Sequence, residues 1–228
     1  MRGEIMTKKL VTTVLARCIS GVILVFLLIF LPAGTLRFAN GWLLMGVLFI
    51  PMLIAGFVMM ARNPKLLEKR LKVDEKQKEQ KTVIAISALM FVCGFVVAGL
   101  DFRFGWFLLP KAATITATAT FLLAYLLYAE VLRENTYLSR TVEIQENQKV
   151  IDTGLYSVVR HPMYASSVVL FLSMPLILGS VYSFIIFLVY PFVIAKRIKH
   201  EEELLEKELE GYKEYKTKVK YKLVPFVW

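Results

Sequence analysis

The chain has 228 residues, of which 57% are hydrophobic and only 20% charged, and it carries a formal net charge of +10. This composition excludes a disordered chain, which is rich in charge and poor in apolar residues, and it exceeds the apolar share of soluble domains, roughly 45 to 50%. Cys18 and Cys93 are the only cysteines. Since neither lies near a histidine in the sequence, neither a disulfide framework nor a metal site is predicted.

Six apolar segments predict membrane helices. Four runs are long enough to cross a bilayer, at 14–31, 42–60, 83–100 and 112–129. Two shorter runs, 163–178 and 181–195, are separated only by Gly179 and Ser180, which predicts a tight helical hairpin. We therefore predict an all-α, polytopic integral membrane protein with about six transmembrane helices, the last two forming a short hairpin, followed by a C-terminal cytoplasmic helix.

Lysine and arginine residues are distributed unequally between the two sides of this arrangement. The segments on one side hold 4 (before residue 19), 8 (62–81), 4 (130–162) and 9 (196–228), which is 25 of the 28 positive charges. Because short cytoplasmic loops carry an excess of Lys and Arg, we predict a multi-pass protein with both termini in the cytoplasm. The basic balance then reflects topology and contact with the anionic headgroups of membrane lipids, and no nucleic-acid partner is predicted.

Two regions follow from this organisation. Residues 1–130 form an N-terminal region of four spans with a basic cytoplasmic loop at 62–81, in which Leu66, Leu67 and Leu71 predict a helix along the membrane surface. Residues 131–228 form a C-terminal region with a polar loop, the helical hairpin and the cytoplasmic helix. Neither soluble segment of the second region is long enough for an independent globular domain.

The polar loop ends at the start of the fifth apolar run. Pro162 disfavours helix at His161 and can begin the next helix, so Arg160, His161 and Tyr164 are predicted to cluster at the N-terminus of a membrane helix. Free N–H groups and the positive end of the helix dipole suit a carboxylate or phosphate at such a place. The alternative is that Arg160 anchors at lipid headgroups and His161 has no special role.

The last segment has a strong helical pattern. Arg197, Glu201, Leu205, Leu209 and Tyr212 fall along one stripe, at spacings of four, four, four and three. Charges on a packed stripe at the membrane boundary must be paired or must bind a ligand, and a simple ion pair between the two charged members is the alternative. The acidic residues predicted to face solvent are Glu202, Glu203, Glu206 and Glu210.

These segments, in this order, resemble the isoprenylcysteine carboxyl methyltransferase and phospholipid methyltransferase superfamily of membrane enzymes. The resemblance covers about 141–226 and rests on QKVIDTGLYSVVRHPMY (148–164), the apolar hairpin, Arg197 with Glu201 and Glu202, and the closing Tyr212, Tyr215 and VPF (224–226). The chain departs from the family pattern at Ala165, where glycine is more usual, and at LEGYKEY, which shifts Tyr212 by one residue.

The resemblance implies methyl transfer from S-adenosylmethionine, held by the cytoplasmic ends of the final helices. Arg197 corresponds to the substrate-contacting arginine of the family and is the one catalytic candidate, with Arg160 as a second substrate contact. The cofactor-binding residues implied are Gln148, Lys149, Val150, Ile151, Tyr156, His161, Pro162, Met163, Tyr164 and Glu201. The acceptor is expected to be a lipophilic or lipid-linked molecule, with a carboxylate of the isoprenylcysteine type favoured over a phospholipid amine or a thiol.

Two other classes of function remain open at this point. A sterol-type membrane reductase can share the RHP-Tyr feature and would use NADPH, although it normally needs a longer chain. A non-catalytic protein such as a transporter would carry ionisable residues along several spans, and the spans here are nearly free of them. The sequence does not indicate an oligomeric state.

Overall fold

The computed structural model of the chain describes residues 2–71, 78–107, 109–138, 144–145 and 147–228. Within these residues the regular elements are all helical, as predicted. They are α1 (Arg2–Ala33), α2 (Ala39–Arg62), α3 (Pro64–Leu71), α4 (Lys78–Phe104), α5 (Lys111–Glu134), a 3-10 turn (Gly154–Ser157), α6 (Pro162–Leu178), α7 (Val181–Phe187), α8 (Val189–Glu208) and α9 (Tyr212–Lys218).

Among the described residues, five helical stretches are long and apolar enough to cross a membrane: Leu10–Ala33, Ala39–Arg62, Gln80–Phe104, Lys111–Glu134 and Val181–Glu208. They expose large apolar side chains, such as Leu126 on α5 and Phe192 on α8, the latter 76% exposed. Lipid is the environment in which such surfaces are stable. The chain is therefore a polytopic helical membrane protein, as its sequence predicts.

The fifth predicted span is the short helix α6. Its 17 residues give a length of about 26 Å, slightly below the hydrocarbon thickness of roughly 30 Å. The helix ends at Gly179, whose φ of 82° lies in the left-handed region. This glycine closes the predicted hairpin, because left-handed backbone at a helix C-terminus favours a residue without a side chain.

The sixth predicted span differs from the prediction in its boundaries. It is interrupted at Leu188, between α7 and α8, because Pro191 has no N–H to donate to the carbonyl of Phe187 one turn earlier. Beyond this break α8 runs without interruption to Glu208. The predicted cytoplasmic helix is thus mainly the continuation of the last span, and only α9 is separate.

Helix α4 packs against α1, α6, α7 and α8. Two glycines allow the close approach. A Cβ at Gly99 would lie 2.5 Å from the carbonyl oxygen of Ile29 on α1, and a Cβ at Gly94 would clash with the ring of Phe187 on α7. Small residues at such positions let helix backbones pack closely within a membrane.

The connections collect at two ends of the bundle. At one end the Arg17 side chain contacts the carbonyl of Leu71, and α3 packs on α2 through the buried residues Leu66 and Leu67. At the other end Asp101 accepts hydrogen bonds from the Ser180 hydroxyl, at 2.5 Å, and from the Phe107 N–H, at 3.0 Å. This alternation agrees with the predicted path of the chain, while the cytoplasmic assignment of the basic end stays a prediction.

Candidate active site at the ends of the last helices

A cleft opens where the polar loop, the N-terminus of α6, α8 and α9 meet. The empty space within it, counted together with the open solvent at its mouth, is about 870 Å³. Eleven of the twelve predicted site residues line it: Gln148, Lys149, Val150, Ile151, Tyr156, Arg160, His161, Met163, Tyr164, Arg197 and Glu201. The twelfth, Pro162, is buried at the first turn of α6.

The N-terminus of α6 forms one wall of the cleft. His161 is the N-cap, with φ −127° and ψ 61°, and Pro162 occupies the first turn. This is the arrangement that the RHP triplet predicts, because the proline excludes helical backbone at the preceding residue and needs no N–H at the helix start. The His161 side chain makes no capping bond to the helix. The first N–H groups of the helix have no partner within it.

Glu202 is at the centre of a buried ionic cluster below the cleft. Its Oε1 accepts from Arg160 Nε at 2.7 Å and lies 3.1 Å from His161 Nε2, and its Oε2 is 3.4 Å from Lys222 Nζ. Glu202 is only 4% exposed, so the prediction that it faces solvent is wrong. The physical reason is that Arg160, 6% exposed, needs a carboxylate once it is removed from water.

Arg160 is also bonded to the segment that follows α9. Its Nη1 donates to the carbonyl oxygens of Val219, at 2.7 Å, and Lys220, at 2.8 Å. Three hydrogen bonds therefore hold the guanidinium within the protein. Although Arg160 lines the cleft, these bonds suit it to positioning α8 and the segment after α9 rather than to holding a substrate.

Tyr164 links the two charged members of the predicted stripe on α8. Its hydroxyl donates to Glu201 Oε2 at 2.5 Å and accepts from Arg197 Nε at 2.9 Å. The Arg197 guanidinium carbon also lies 5.8 Å from the centre of the Tyr164 ring. The Tyr164 hydroxyl thus holds the Glu201 carboxylate and the Arg197 guanidinium next to each other in the cleft.

Tyr156 is held in the opposite wall by its neighbours. Asn135 Nδ2 donates to its hydroxyl at 3.0 Å, and the hydroxyl of Tyr215 donates to its carbonyl at 2.7 Å. Burial raises the pKa of both phenols well above the usual value of 10, so both are neutral at physiological pH. Glu134 orders the preceding turn by accepting from the Thr153 hydroxyl and the Leu155 N–H.

Gly154 is the one residue of this turn that cannot carry a side chain. Its φ is +48°, and a Cβ there would clash with the Glu134 carboxylate. We expect Gly154→Ala to lower the free energy of unfolding by about 2 to 3 kcal/mol, through left-handed strain and displacement of Glu134. Gly105→Ala is the matched control, since Gly105 has φ +62° with no atom within 4 Å. Equal losses of stability in thermal unfolding would contradict the role of Glu134.

Apolar side chains complete the cleft beside α9. Leu209, Tyr212, Tyr215 and Val219 form a small core of their own, outside the main one, and Ile144, Val150 and Leu205 pack against it. The wall that they form suits a flat aromatic group. Residues 139–143 and 146 of the polar loop lie outside the described residues.

The Tyr212 hydroxyl is buried in the cleft and has no hydrogen-bond partner among the described residues. An unsatisfied buried hydroxyl is costly, and a polar ligand in the cleft would supply its partner. We expect Tyr212→Phe to raise the free energy of unfolding of the ligand-free protein by about 1 kcal/mol, because it removes an unsatisfied buried hydroxyl, and to weaken ligand binding about 5- to 10-fold, since one neutral hydrogen bond contributes about 1 kcal/mol.

Tyr215→Phe is the contrasting variant, because the Tyr215 hydroxyl already bonds the Tyr156 carbonyl. It should lose about 1 to 2 kcal/mol of stability. Thermal unfolding and calorimetric titration of the two variants separate the effects. A Tyr212→Phe protein that is destabilised as much as Tyr215→Phe, with unchanged ligand affinity, would show that the Tyr212 hydroxyl serves the fold.

Several lining residues were not predicted as part of the site, and they differ in how visible they are in the sequence. Asn135 directly follows α5, where a polar residue at a helix end is unremarkable. Leu204 lines the cleft next to Leu205 on α8, but an apolar residue in a helix gives no sign of a binding site in the sequence. Arg70, on α3 and far away in the chain, is not itself a lining residue, but its Nη1 donates to the sulfur of the lining residue Met163 at 3.5 Å.

Comparison with known proteins agrees with this arrangement. No curated protein matches the chain significantly. Residues 112–211 match the family model described as phospholipid methyltransferase. The matched span contains α6 to α8, nearly all of α5, and each of the twelve predicted site residues. This part of the chain is therefore similar to the phospholipid methyltransferases, a family of integral membrane methyltransferases.

Proposed function

We propose that the protein transfers a methyl group from S-adenosylmethionine to the carboxylate of an amphipathic, lipophilic acceptor at the membrane surface. The observation that carries this proposal is that a carboxylate, Glu201, and a guanidinium, Arg197, both line the cleft and are joined through Tyr164. The family match supports membrane methyl transfer over the NADPH-dependent reductase and the non-catalytic alternatives.

The residues of the cleft fit S-adenosylmethionine by their chemistry. The unpartnered Tyr212 hydroxyl and the Glu201 carboxylate suit hydroxyl or amino groups, and the apolar wall beside α9 suits the adenine. His161 and the first N–H groups of α6 suit the carboxylate of the methionine part. When bound, the cofactor supplies an electrophilic methyl group on a sulfonium sulfur.

A carboxylate acceptor suits the positive charge of Arg197, which bonds the Tyr164 hydroxyl opposite Glu201. Arg197 can orient a carboxylate oxygen through charge-assisted hydrogen bonds. A second guanidinium, that of Arg70 on α3, contacts the lining residue Met163 and the Tyr128 hydroxyl. A carboxylate has no proton to lose before it attacks, so the protein needs only to align it and exclude water.

A phospholipid amine is the second candidate acceptor, because the matched family model is that of phospholipid methyltransferases. An ammonium group must lose a proton before it can attack a methyl group. Glu201 is the carboxylate nearest to Tyr164 in the cleft, and the proposal already assigns it to the cofactor. The arginines would then bind the phosphate of the lipid.

The bilayer supplies the route for either acceptor. We infer that an amphipathic acceptor enters laterally between helices and that the water-soluble cofactor enters from the cytoplasmic side, where both termini lie. The unequal distribution of Lys and Arg supports this orientation. The last helical stretch, Val181 to Glu208, has 28 residues, more than the roughly 20 that cross the hydrocarbon, so the polar end of α8 extends into water beside the cleft.

The experiment uses purified protein in bilayer nanodiscs, S-adenosylmethionine labelled on its methyl group, and two acceptors offered separately, a prenylated cysteine derivative and phosphatidylethanolamine. We expect label in the prenylated product that alkali releases as methanol, because a methyl ester hydrolyses and an N- or S-methyl group does not. Alkali-stable label in the phospholipid would favour the second candidate. No label with either acceptor, in protein that binds the cofactor, would contradict both.

A further inference from the structure

The segment after α9 returns to the point where α6 begins. The Arg160 N–H donates to the carbonyl of Tyr221, and the His161 N–H donates to the carbonyl of Lys222, both at 2.9 Å. His161 is the N-cap of the apolar helix α6. Tyr221 and Lys222 therefore lie at the level at which α6 enters the membrane.

The next residue confirms this level. Leu223 is 9% exposed and belongs to the same apolar core as the membrane helices, together with Tyr164 and Ile198. This core is distinct from the small one beside the cleft, which contains Val219. The chain thus passes from the small core at Val219 to the main core at Leu223 within four residues.

Beyond Leu223 the chain makes a compact turn, residues 224–228, which we name the C-terminal turn. The N–H groups of Val227 and Trp228 donate to the Val224 carbonyl, and Phe226 has φ +64°. Its apolar side chains point outward: Phe226 is 87% and Val227 78% exposed, with Val224 and Trp228 about half-exposed. A cluster of exposed large apolar side chains indicates a surface that contacts a protein or a membrane.

The charges around the turn identify the membrane as its partner. Lys222 Nζ lies 5.2 Å from the Trp228 ring centre. Lys216 is paired with Glu206 and Lys222 approaches Glu202, which leaves the exposed Lys213, Lys218 and Lys220 as the cations before the turn. Aromatic residues collect at membrane interfaces, and lysines beside them attract anionic headgroups. We propose that the C-terminal turn is embedded in the headgroup region of the bilayer.

Insertion of the C-terminal turn into the bilayer would also position the ionic cluster beside the cleft. The segment that the turn holds, 219–222, supplies the carbonyls that bind Arg160 and the lysine that approaches Glu202. Contact with the bilayer at Phe226 and Val227 therefore fixes the outer side of the ionic cluster. Insertion of the turn itself does not depend on the proposed chemistry.

Trp228 makes the insertion measurable, because the chain has only three tryptophans. In a Trp42→Phe, Trp106→Phe background we expect its fluorescence to be quenched when the nanodisc lipid carries bromine atoms near the headgroup, relative to the same lipid without bromine. Adding Phe226→Asn and Val227→Ser should reduce the quenching, and asparagine tolerates the left-handed φ at 226. Discs that hold one copy each exclude contact between copies.

Equally strong Trp228 fluorescence in brominated and unbrominated lipid would overturn the proposal, provided that a thermal unfolding transition shows that the protein is folded. So would quenching that appears only in discs with two copies, since a second copy would then cover the turn. If the tryptophan background does not fold, a nitroxide on Val227→Cys in a Cys18→Ser, Cys93→Ala background tests the same point. We expect this nitroxide to collide more often with oxygen, which dissolves in the bilayer, than with a water-soluble nickel complex. More frequent collisions with the nickel complex would overturn the proposal.

Discussion

Glu202→Gln is expected to lower the free energy of unfolding by about 3 to 5 kcal/mol, because it leaves a buried arginine without its counter-ion. The carboxylate has contacts with Arg160 at 2.7 Å, His161 at 3.1 Å and Lys222 at 3.4 Å. A neutral amide can accept from one of these groups but cannot balance their charge. Thermal unfolding in detergent, followed by circular dichroism, measures the loss.

The neighbouring Glu203 is the matched control for this variant. It lies on the same helix and is exposed, so Glu203→Gln makes the same chemical change without burial. Its effect should stay within about 0.5 kcal/mol. Similar unfolding temperatures for the two variants would contradict the account of the ionic cluster.

Arg197→Gln is expected to lower kcat/KM for a carboxylate acceptor about 100-fold, because a charge-assisted, two-pronged contact contributes about 2 to 3 kcal/mol. The affinity for S-adenosylmethionine should change much less, since the proposal assigns Glu201, not Arg197, to the cofactor. Arg197→Lys keeps the charge but not the planar fork, so only part of the activity should remain. Initial rates at varied acceptor concentration measure these effects.

Lys199→Gln serves as the control for charge, because it removes a cation from an exposed position of the same helix. It should leave kcat/KM unchanged. If Arg197→Gln weakens cofactor binding as much as it lowers kcat/KM, Arg197 acts through Tyr164 and Glu201 and not on the acceptor. Unchanged kcat/KM would remove Arg197 from the site altogether.

The membrane helices could be predicted because the bilayer sets a length that apolar runs must satisfy. Their ends were less predictable. α8 continues far beyond the apolar run that ends near Ala195, since its Glu- and Lys-rich residues keep helical backbone without lipid contact. The break at Leu188 has a visible cause in Pro191, but a proline close to a helix start is compatible with an unbroken helix as well.

The parts of the site that depend on neighbouring residues in the sequence, such as a helix start or one face of a helix, were predictable. The RHP triplet predicts the N-cap at His161, and the spacing of Arg197, Glu201 and Leu205 predicts one face of α8, which does line the cleft. Glu202 was mistaken for a solvent-exposed residue because its partner Arg160 is 42 positions away. No periodicity within α8 could reveal a contact that only the packing of α6, α8 and the segment 219–222 creates.

The most direct test of whether the cleft binds S-adenosylmethionine is calorimetric titration with its product, S-adenosylhomocysteine. The proteins are the wild type, Glu201→Gln and Glu203→Gln, and NADPH is the control ligand. The account predicts binding in the micromolar range for the wild type and Glu203→Gln, a loss of about 10- to 100-fold for Glu201→Gln from one charged hydrogen bond, and no heat with NADPH. Well-folded wild-type protein that binds NADPH and not S-adenosylhomocysteine would contradict it.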